Sequence, residues 1–166
     1  RHEFRQGKGN VVRRMFADVD ADVYVMADGD GTYHAAATPA MIDKLLAEQL
    51  DMVVGCRKEM EEAAYRTGHR FGNRLLTGTV QTLFGTAFTD MLSGFRVFSR
   101  RYVKSFPLSC AGFEIETEMS VHALQLQLPT GELCTPYGAR MEGSESKLRT
   151  YHDGFRILVT IARMLL

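Results

Sequence analysis

An α/β fold, with a mostly parallel sheet flanked by helices, is predicted by three observations. A strand, a helix and a second strand follow one another over residues 22–56, which is the order of a βαβ unit. Both strand segments, DVYVMA and MVVGC, are short, apolar and β-branched, as strands buried on both faces are. The chain has 166 residues, 45% of them hydrophobic and 24% charged, the length and mix of a single globular domain.

The elements follow in order. Residues 10–17 form a short helix, with Val11, Val12, Met15 and Phe16 on one side and Arg13 and Arg14 on the other. Residues 22–27 form the first strand, and Asp28-Gly29-Asp30-Gly31 ends it as a turn. Thr38 is read as an N-cap, with Pro39 at the first position of a helix that runs to about Leu50. Residues 52–56 are the second strand. Residues 59–85 read as mostly helical, interrupted by Gly68, Gly72 and Gly78. A short strand is expected over 94–99, a strong helix over 113–128 closed by Pro129 and Gly131, and a last strand over 132–137. Residues 150–153 resemble a capping box for a final helix over 151–166. The opening helix feeds a strand, whereas in a parallel sheet such a helix normally arrives from an earlier one. A strand ahead of residue 1 is therefore expected, leaving an unpaired sheet edge through which the chain could self-associate.

Composition narrows the function. Lys plus Arg and Asp plus Glu number 20 each, so the formal net charge is zero and no nucleic-acid partner is expected from bulk charge. The three cysteines, Cys56, Cys110 and Cys134, have no paired spacing, which points to a reducing compartment and away from a disulfide framework. His34, His69, His122 and His152 lack metal-ligand spacing, and His122 is read as a satisfied histidine at the core edge. No apolar run approaches the ~20 residues of a membrane-spanning helix. Over residues 155–166, Arg156 and Arg163 share one face of an otherwise apolar helix, which suits a membrane interface or equally a helix packed on the sheet.

The chemistry concentrates after the first strand. If the chain stays extended, Asp28 and Asp30 point to one face, because strand side chains alternate. Two hard oxygen donors at the carboxyl end of a parallel strand suit Mg²⁺ or Mn²⁺ held together with a substrate diphosphate. Alone, the pair reads equally as a solvated turn.

Five further segments occur in a fixed order: Gly7-Lys8-Gly9-Asn10; Val54-Gly55-Cys56-Arg57; Asp90-Met91-Leu92-Ser93-Gly94-Phe95-Arg96; Gly112-Phe113-Glu114-Ile115-Glu116-Thr117-Glu118; and Arg140 to Leu148, with Gly143, Ser146 and Lys147. With VYVMADGDGTYH they resemble the family 2 glycosyltransferases of GT-A fold, in the branch of dolichyl-phosphate mannose synthase and bacterial polyprenyl-phosphate glycosyltransferases. Thr32 stands where the mannose synthases carry Gln. The resemblance implies a GT-A-like catalytic core over residues 1–150, without the N-terminal strand that grips the nucleotide base. Residues 151–166 would then be an amphipathic, membrane-proximal helix.

The resemblance also implies roles. The enzyme would be metal-dependent and inverting, moving a sugar from a nucleotide-sugar donor to a polyprenyl-phosphate or similar acceptor at the cytoplasmic, inner face of the cell membrane. Asp28 and Asp30 would hold Mg²⁺ or Mn²⁺, Asp30 more directly. Lys8, Arg140, Ser146 and Lys147 would meet the donor phosphates, and Arg57 and Arg70, with Arg74 as a rival, the acceptor phosphate. On the helix wheel Ile115, Met119, Ala123 and Leu126 form one apolar stripe; Glu116 flanks it, and Glu114 and Glu118 lie further round. Glu116 is therefore expected to be partly buried, where it would act on an acceptor hydroxyl or position a sugar hydroxyl or an Arg. Asp90 is a second candidate for sugar contact. Two other classes stay open: a metal-dependent nucleotidyltransferase or phosphohydrolase, which would use the Asp pair but not the S-G-F-R or R-x-x-G-x-S-K segments, and a noncatalytic membrane-associated module.

Overall fold

The structure, a computed structural model, describes residues 2–59, 78, 88–107, 109–112, 114–138, 156, 157 and 159–162. Helix α1 spans Lys8–Asp18 and leads into strand β1, Val23–Met26. A 3₁₀ turn, Ala35–Ala37, opens into α2, Thr38–Ala47, and then β2, Met52–Glu59. Strand β3, Arg96–Ser99, runs directly into α3, Arg100–Ser105; α4, Ile115–Gln125, and β4, Thr130–Tyr137, follow.

The four strands form one sheet in the order β1-β3-β2-β4. Strand β3 runs antiparallel to both β1 and β2, while β2 and β4 are parallel over the register Met52↔Thr130 to Glu59↔Tyr137. Three strands thus share one direction and β3 is reversed among them. The βαβ unit exists, but its two strands are separated by β3, so the sheet is mixed. No local pattern in the sequence reports that insertion, because β3 pairs with strands more than forty residues away. Among the described strands, β1 and β4 lie at the two edges of the sheet.

Helix α1 begins two residues before its expected start, because the G-K-G segment is part of its docking. Gly7, at φ 122°, is its N-cap, and the Gly9 N–H donates to the Ala111 carbonyl at 3.0 Å. A Cβ on Gly9 would come within 2.2 Å of the Cys110 carbonyl oxygen, so only glycine allows this approach. Thr38 is not the N-cap of α2: Ala37 takes that place with no side-chain cap bond, and Thr38 is already helical at φ −55°. The preceding 3₁₀ turn puts this backbone in helical dihedrals before Thr38 could adopt the extended conformation a capping residue needs. Helix α3 was not anticipated; Ser99 caps it, its hydroxyl accepting from the Tyr102 N–H at 3.1 Å.

The main core gathers Val12 and Phe16 of α1, Tyr24 and Met26 of β1, Phe98 of β3, Tyr102 and Val103 of α3, and Ile115, Met119 and Val121 of α4. Phe98 and Tyr102 stack at 4.8 Å, and Phe16 meets Phe98 edge-on at 5.8 Å. A smaller cluster on the other face joins Met41 and Leu45 of α2 to Val53, Phe95 and Val97. Ile157 and Ile161 belong to the main core, and Arg156 pairs with Glu114 at 2.7 Å, so these described residues of the final helix turn toward the protein. Among the described residues no helix is long and apolar enough to cross a membrane. The helix expected over 59–85, apart from Gly78, and the capping box at 150–153 lie outside the described residues.

Helix α4 departs most from expectation. Every residue from Ile115 to Ala123 is buried, including Glu116, Glu118, Ser120 and His122, whereas Leu126, assigned to its apolar stripe, is 52% exposed. Glu114 and Glu118 do not face water; they are 5% and 1% exposed. The wheel assumes one wet side. Here the acids are kept inside by specific partners: Glu118 accepts from the backbone N–H groups of Ser109 at 2.6 Å and Cys110 at 3.0 Å.

Candidate active site

Lys8 is the centre of the site. Its ammonium lies between Asp28, at 2.5 Å, and Glu116, with which it forms a second short ion pair. The Gly7–Gly9 docking fixes α1 so that Lys8, in its first turn, reaches both. Burial opposes the Lys8 charge, yet the Glu116 and Asp28 carboxylates outweigh it and raise its pKa above the usual lysine value. The ammonium therefore stays charged. Glu116 is 5% exposed, as expected for a partly buried acid, and its Oε2 is a buried oxygen with no hydrogen-bond partner among the described residues. A Cβ on Gly94 would sit 2.5 Å from Asp28 Oδ2 and 2.9 Å from Lys8 Nζ, so the glycine of S-G-F-R leaves the room this pair occupies.

Asp28 and Asp30 do not present two carboxylates from one extended strand. Strand β1 ends at Met26, residues 29 and 30 turn, and Gly31 has φ 74°. Asp28 turns to Lys8, whereas Asp30 Oδ1 accepts from the Thr32 hydroxyl at 2.6 Å and the Thr32 N–H at 3.2 Å. Thr32, 1% exposed, thus helps to orient Asp30.

Arg57 and Asp90 form a second cluster. Arg57 Nε and Nη2 donate to the two oxygens of Asp90 at 2.6 and 2.7 Å, a bidentate pair, and the guanidinium lies 5.5 Å from the Tyr137 ring centre. The N–H groups of Thr89 and Asp90 donate to Glu132 on β4 at 2.8 and 3.2 Å. The two clusters share neighbours. Tyr33, whose hydroxyl accepts from the Gly94 N–H at 2.9 Å, feels both Arg57 and Asp28, and burial raises its pKa. Arg96 is fully buried, which lowers its pKa; it donates to the carbonyls of Ser93 at 2.9 Å and Met91 at 2.5 Å and to Ser120 Oγ at 3.0 Å. It holds the 90–95 loop against α4. Tyr33 and Arg96 were not singled out from sequence as site residues; the signal for Tyr33 was only its place just after the D-G-D turn.

Lys8, Asp28 and Glu116 are therefore brought together, and Arg57 and Asp90 form a pair. Arg70, Arg74, Arg140, Ser146 and Lys147 lie outside the described residues. Among the described residues no group of three His, Cys, Asp or Glu could hold a metal ion by itself. A divalent cation at Asp28 or Asp30 would need oxygens from its substrate, as Mg²⁺ bound with a diphosphate ordinarily has.

No family model matches the chain. It is 64% identical over 74 residues to an uncharacterized protein of Shigella flexneri, covering 45% of each chain. It is 36% identical over 159 residues to glycosyltransferase AglJ of Haloferax volcanii, covering 95% of this chain and 52% of that protein. The chain thus spans about half the length of these relatives. Among solved structures, glucosyl-3-phosphoglycerate synthase of Mycobacterium tuberculosis, in complex with Mn²⁺ and UDP-glucose, superposes with a TM-score of 0.73 at 19% identity, covering 98% of this chain and 56% of that one. The α/β architecture, a sheet flanked by helices, is therefore the GT-A-like fold of that structure.

Proposed function

We propose that this chain carries the donor side of a glycosyltransferase that moves a sugar from a nucleotide-sugar to an acceptor, with a polyprenyl phosphate as the acceptor class. The observation that carries the reading is the Lys8–Asp28–Glu116 cluster beside the D-G-D turn, in a chain similar to AglJ along almost its whole length. The solved relative with Mn²⁺ and UDP-glucose supports the donor class.

The leaving group of such a transfer is a nucleoside diphosphate, whose developing charge must be balanced by cations in a site that excludes water. Asp28 and Asp30 would hold Mg²⁺ or Mn²⁺, which supplies Lewis-acid neutralisation of that charge. Thr32 keeps the Asp30 carboxylate aimed. Lys8 contributes a fixed positive charge and stops the Asp28 and Glu116 carboxylates from repelling one another. Glu116 Oε2, buried and unpartnered, is available to accept from a sugar hydroxyl. Its base role is not needed for a phosphate acceptor, which is already anionic. Arg57, held by Asp90, is the cation assigned to the acceptor phosphate, with Arg70, Arg140, Ser146 and Lys147 completing the phosphate contacts by family resemblance. A lipid-linked acceptor would bring the enzyme to a membrane surface, and the family resemblance implies its inner face.

Mass spectrometry of the products formed by the full-length protein from nucleotide-sugars and polyprenyl phosphate tests this. A sugar attached to the lipid phosphate is expected. Nucleotidyl transfer or free inorganic phosphate would overturn it in favour of a nucleotidyltransferase or phosphohydrolase.

A further inference from the structure

The three cysteines are free thiols, and their spacing in sequence pairs none of them. The sheet nevertheless brings two together. Cys56 on β2 and Cys134 on β4 are direct partners in the parallel register, and their sulfurs lie 2.6 Å apart. Neighbouring strands run ~4.8 Å apart, inside the ~4.4–6.8 Å Cα separation that a disulfide spans. An S–S bond is ~2.05 Å long, so bonding would move these sulfurs by only about half an ångström. Cys56 is buried, whereas Cys134 is exposed and can meet a reagent from solution.

We propose that Cys56 and Cys134 are a thiol pair that oxidises to a reversible disulfide across β2 and β4 on meeting a low-molecular-weight disulfide such as glutathione disulfide. The Cys134 thiolate attacks one sulfur of the reagent, breaking its S–S bond and releasing one glutathione thiolate. Cys56 then attacks the Cys134 sulfur of the mixed disulfide, displacing the second glutathione, which takes up the Cys56 proton. The two protein thiols lose two electrons and two protons, and one glutathione disulfide becomes two glutathione thiols. The order follows from the surroundings. Burial, then the neighbouring Cys134 sulfur, pushes the Cys56 thiol up to about 12, so Cys56 is the poorer nucleophile and reacts second, once the mixed disulfide stands beside it. The new bond would clamp β2 to β4 one residue before Arg57, whose partner Asp90 is itself tied to β4 through Glu132.

The test is peptide mapping of the protein after exposure to glutathione disulfide, with and without later reductant. A peptide joining Cys56 to Cys134 is expected, with no retained glutathione, Cys110 still a thiol, and full reversal by reductant. The oxidised protein should unfold at a higher temperature than the reduced one. The Cys110→Ser variant should give the same crosslink, and Cys134→Ser should take up glutathione at Cys56 roughly tenfold or more slowly than the wild type does at Cys134. A stable glutathione adduct on Cys134 with Cys56 still free, a crosslink through Cys110, or no reaction in the folded wild type would each overturn the proposal.

Discussion

Lys8 shows how one residue couples fold to site. It stands in the first turn of α1, placed by glycines that press against the 110–111 backbone, and it neutralises two carboxylates from distant parts of the chain. Removing one partner of such a buried cluster leaves an uncompensated charge, which typically costs about 3–5 kcal/mol. Lys8→Met is accordingly expected to lower unfolding free energy by roughly 3 kcal/mol. Adding Glu116→Gln should restore part of that loss, because the more buried of the two stranded carboxylates is then neutral, leaving only the more exposed Asp28. Denaturant unfolding of the two single variants and the double variant reads this directly, and full additivity would contradict the coupling. His122 gives a pH signature. Burial lowers its pKa below the ordinary 6.5, against a smaller opposing pull from Glu118, and its Nε2 lies 3.2 Å from Ser105 Oγ. The unfolded state therefore binds the proton more readily, and stability should fall as the pH drops through and below 6.5. Urea midpoints measured from pH 8 to pH 5 should show that fall in the wild type and a flatter profile in His122→Gln.

At the scale of elements, what was legible in the sequence depended on how local its cause was. The D-G-D turn, the body of the first helix and the first βαβ unit were readable because turn residues, amphipathic spacing and β-branched runs act within a few positions, whereas the start of that helix at Lys8 depends on the docking of Gly7 and Gly9 against residues 110–111. Helix α3 was missed because Arg100–Ser105 is one short, charged segment whose burial of Tyr102 and Val103 comes from the core beneath it. The reversed position of β3 was invisible because ladder pairing is set by distant strands. Glu118 looked exposed because an isolated helix wheel cannot show that the Ser109 and Cys110 amides need an acceptor. The Cys56–Cys134 contact was hidden for the same reason, being a register fact between β2 and β4. A test at this scale is Gly9→Ala. The added methyl would press on the Cys110 carbonyl, and overpacking of this kind costs about 1–3 kcal/mol. Thermal unfolding should show that loss, and an unchanged midpoint would mean that α1 is not docked through G-K-G.

At the scale of the whole molecule, the fold sets a division of labour within one site. Asp28, just past the end of β1, meets Lys8, which also pairs with Glu116 at the start of α4, while Arg57 at the far part of β2 is held by the 90–95 loop. Tyr33 feels the charges of both Arg57 and Asp28, and the buried Arg96 those of both Glu116 and Asp90, so the two clusters share electrostatic neighbours. On the proposed function, the Asp28–Asp30 turn binds the donor through a divalent metal. This is tested most directly by measuring transfer of labelled sugar from a nucleotide-sugar by the full-length protein and its Asp30→Ala variant, with and without Mn²⁺ or Mg²⁺. The account predicts transfer by the wild type only when a divalent cation is present, and a loss of at least roughly a hundredfold in Asp30→Ala, the scale on which removing one electrostatic stabiliser acts. Undiminished transfer by the wild type without divalent cations, or by Asp30→Ala with them, would contradict it.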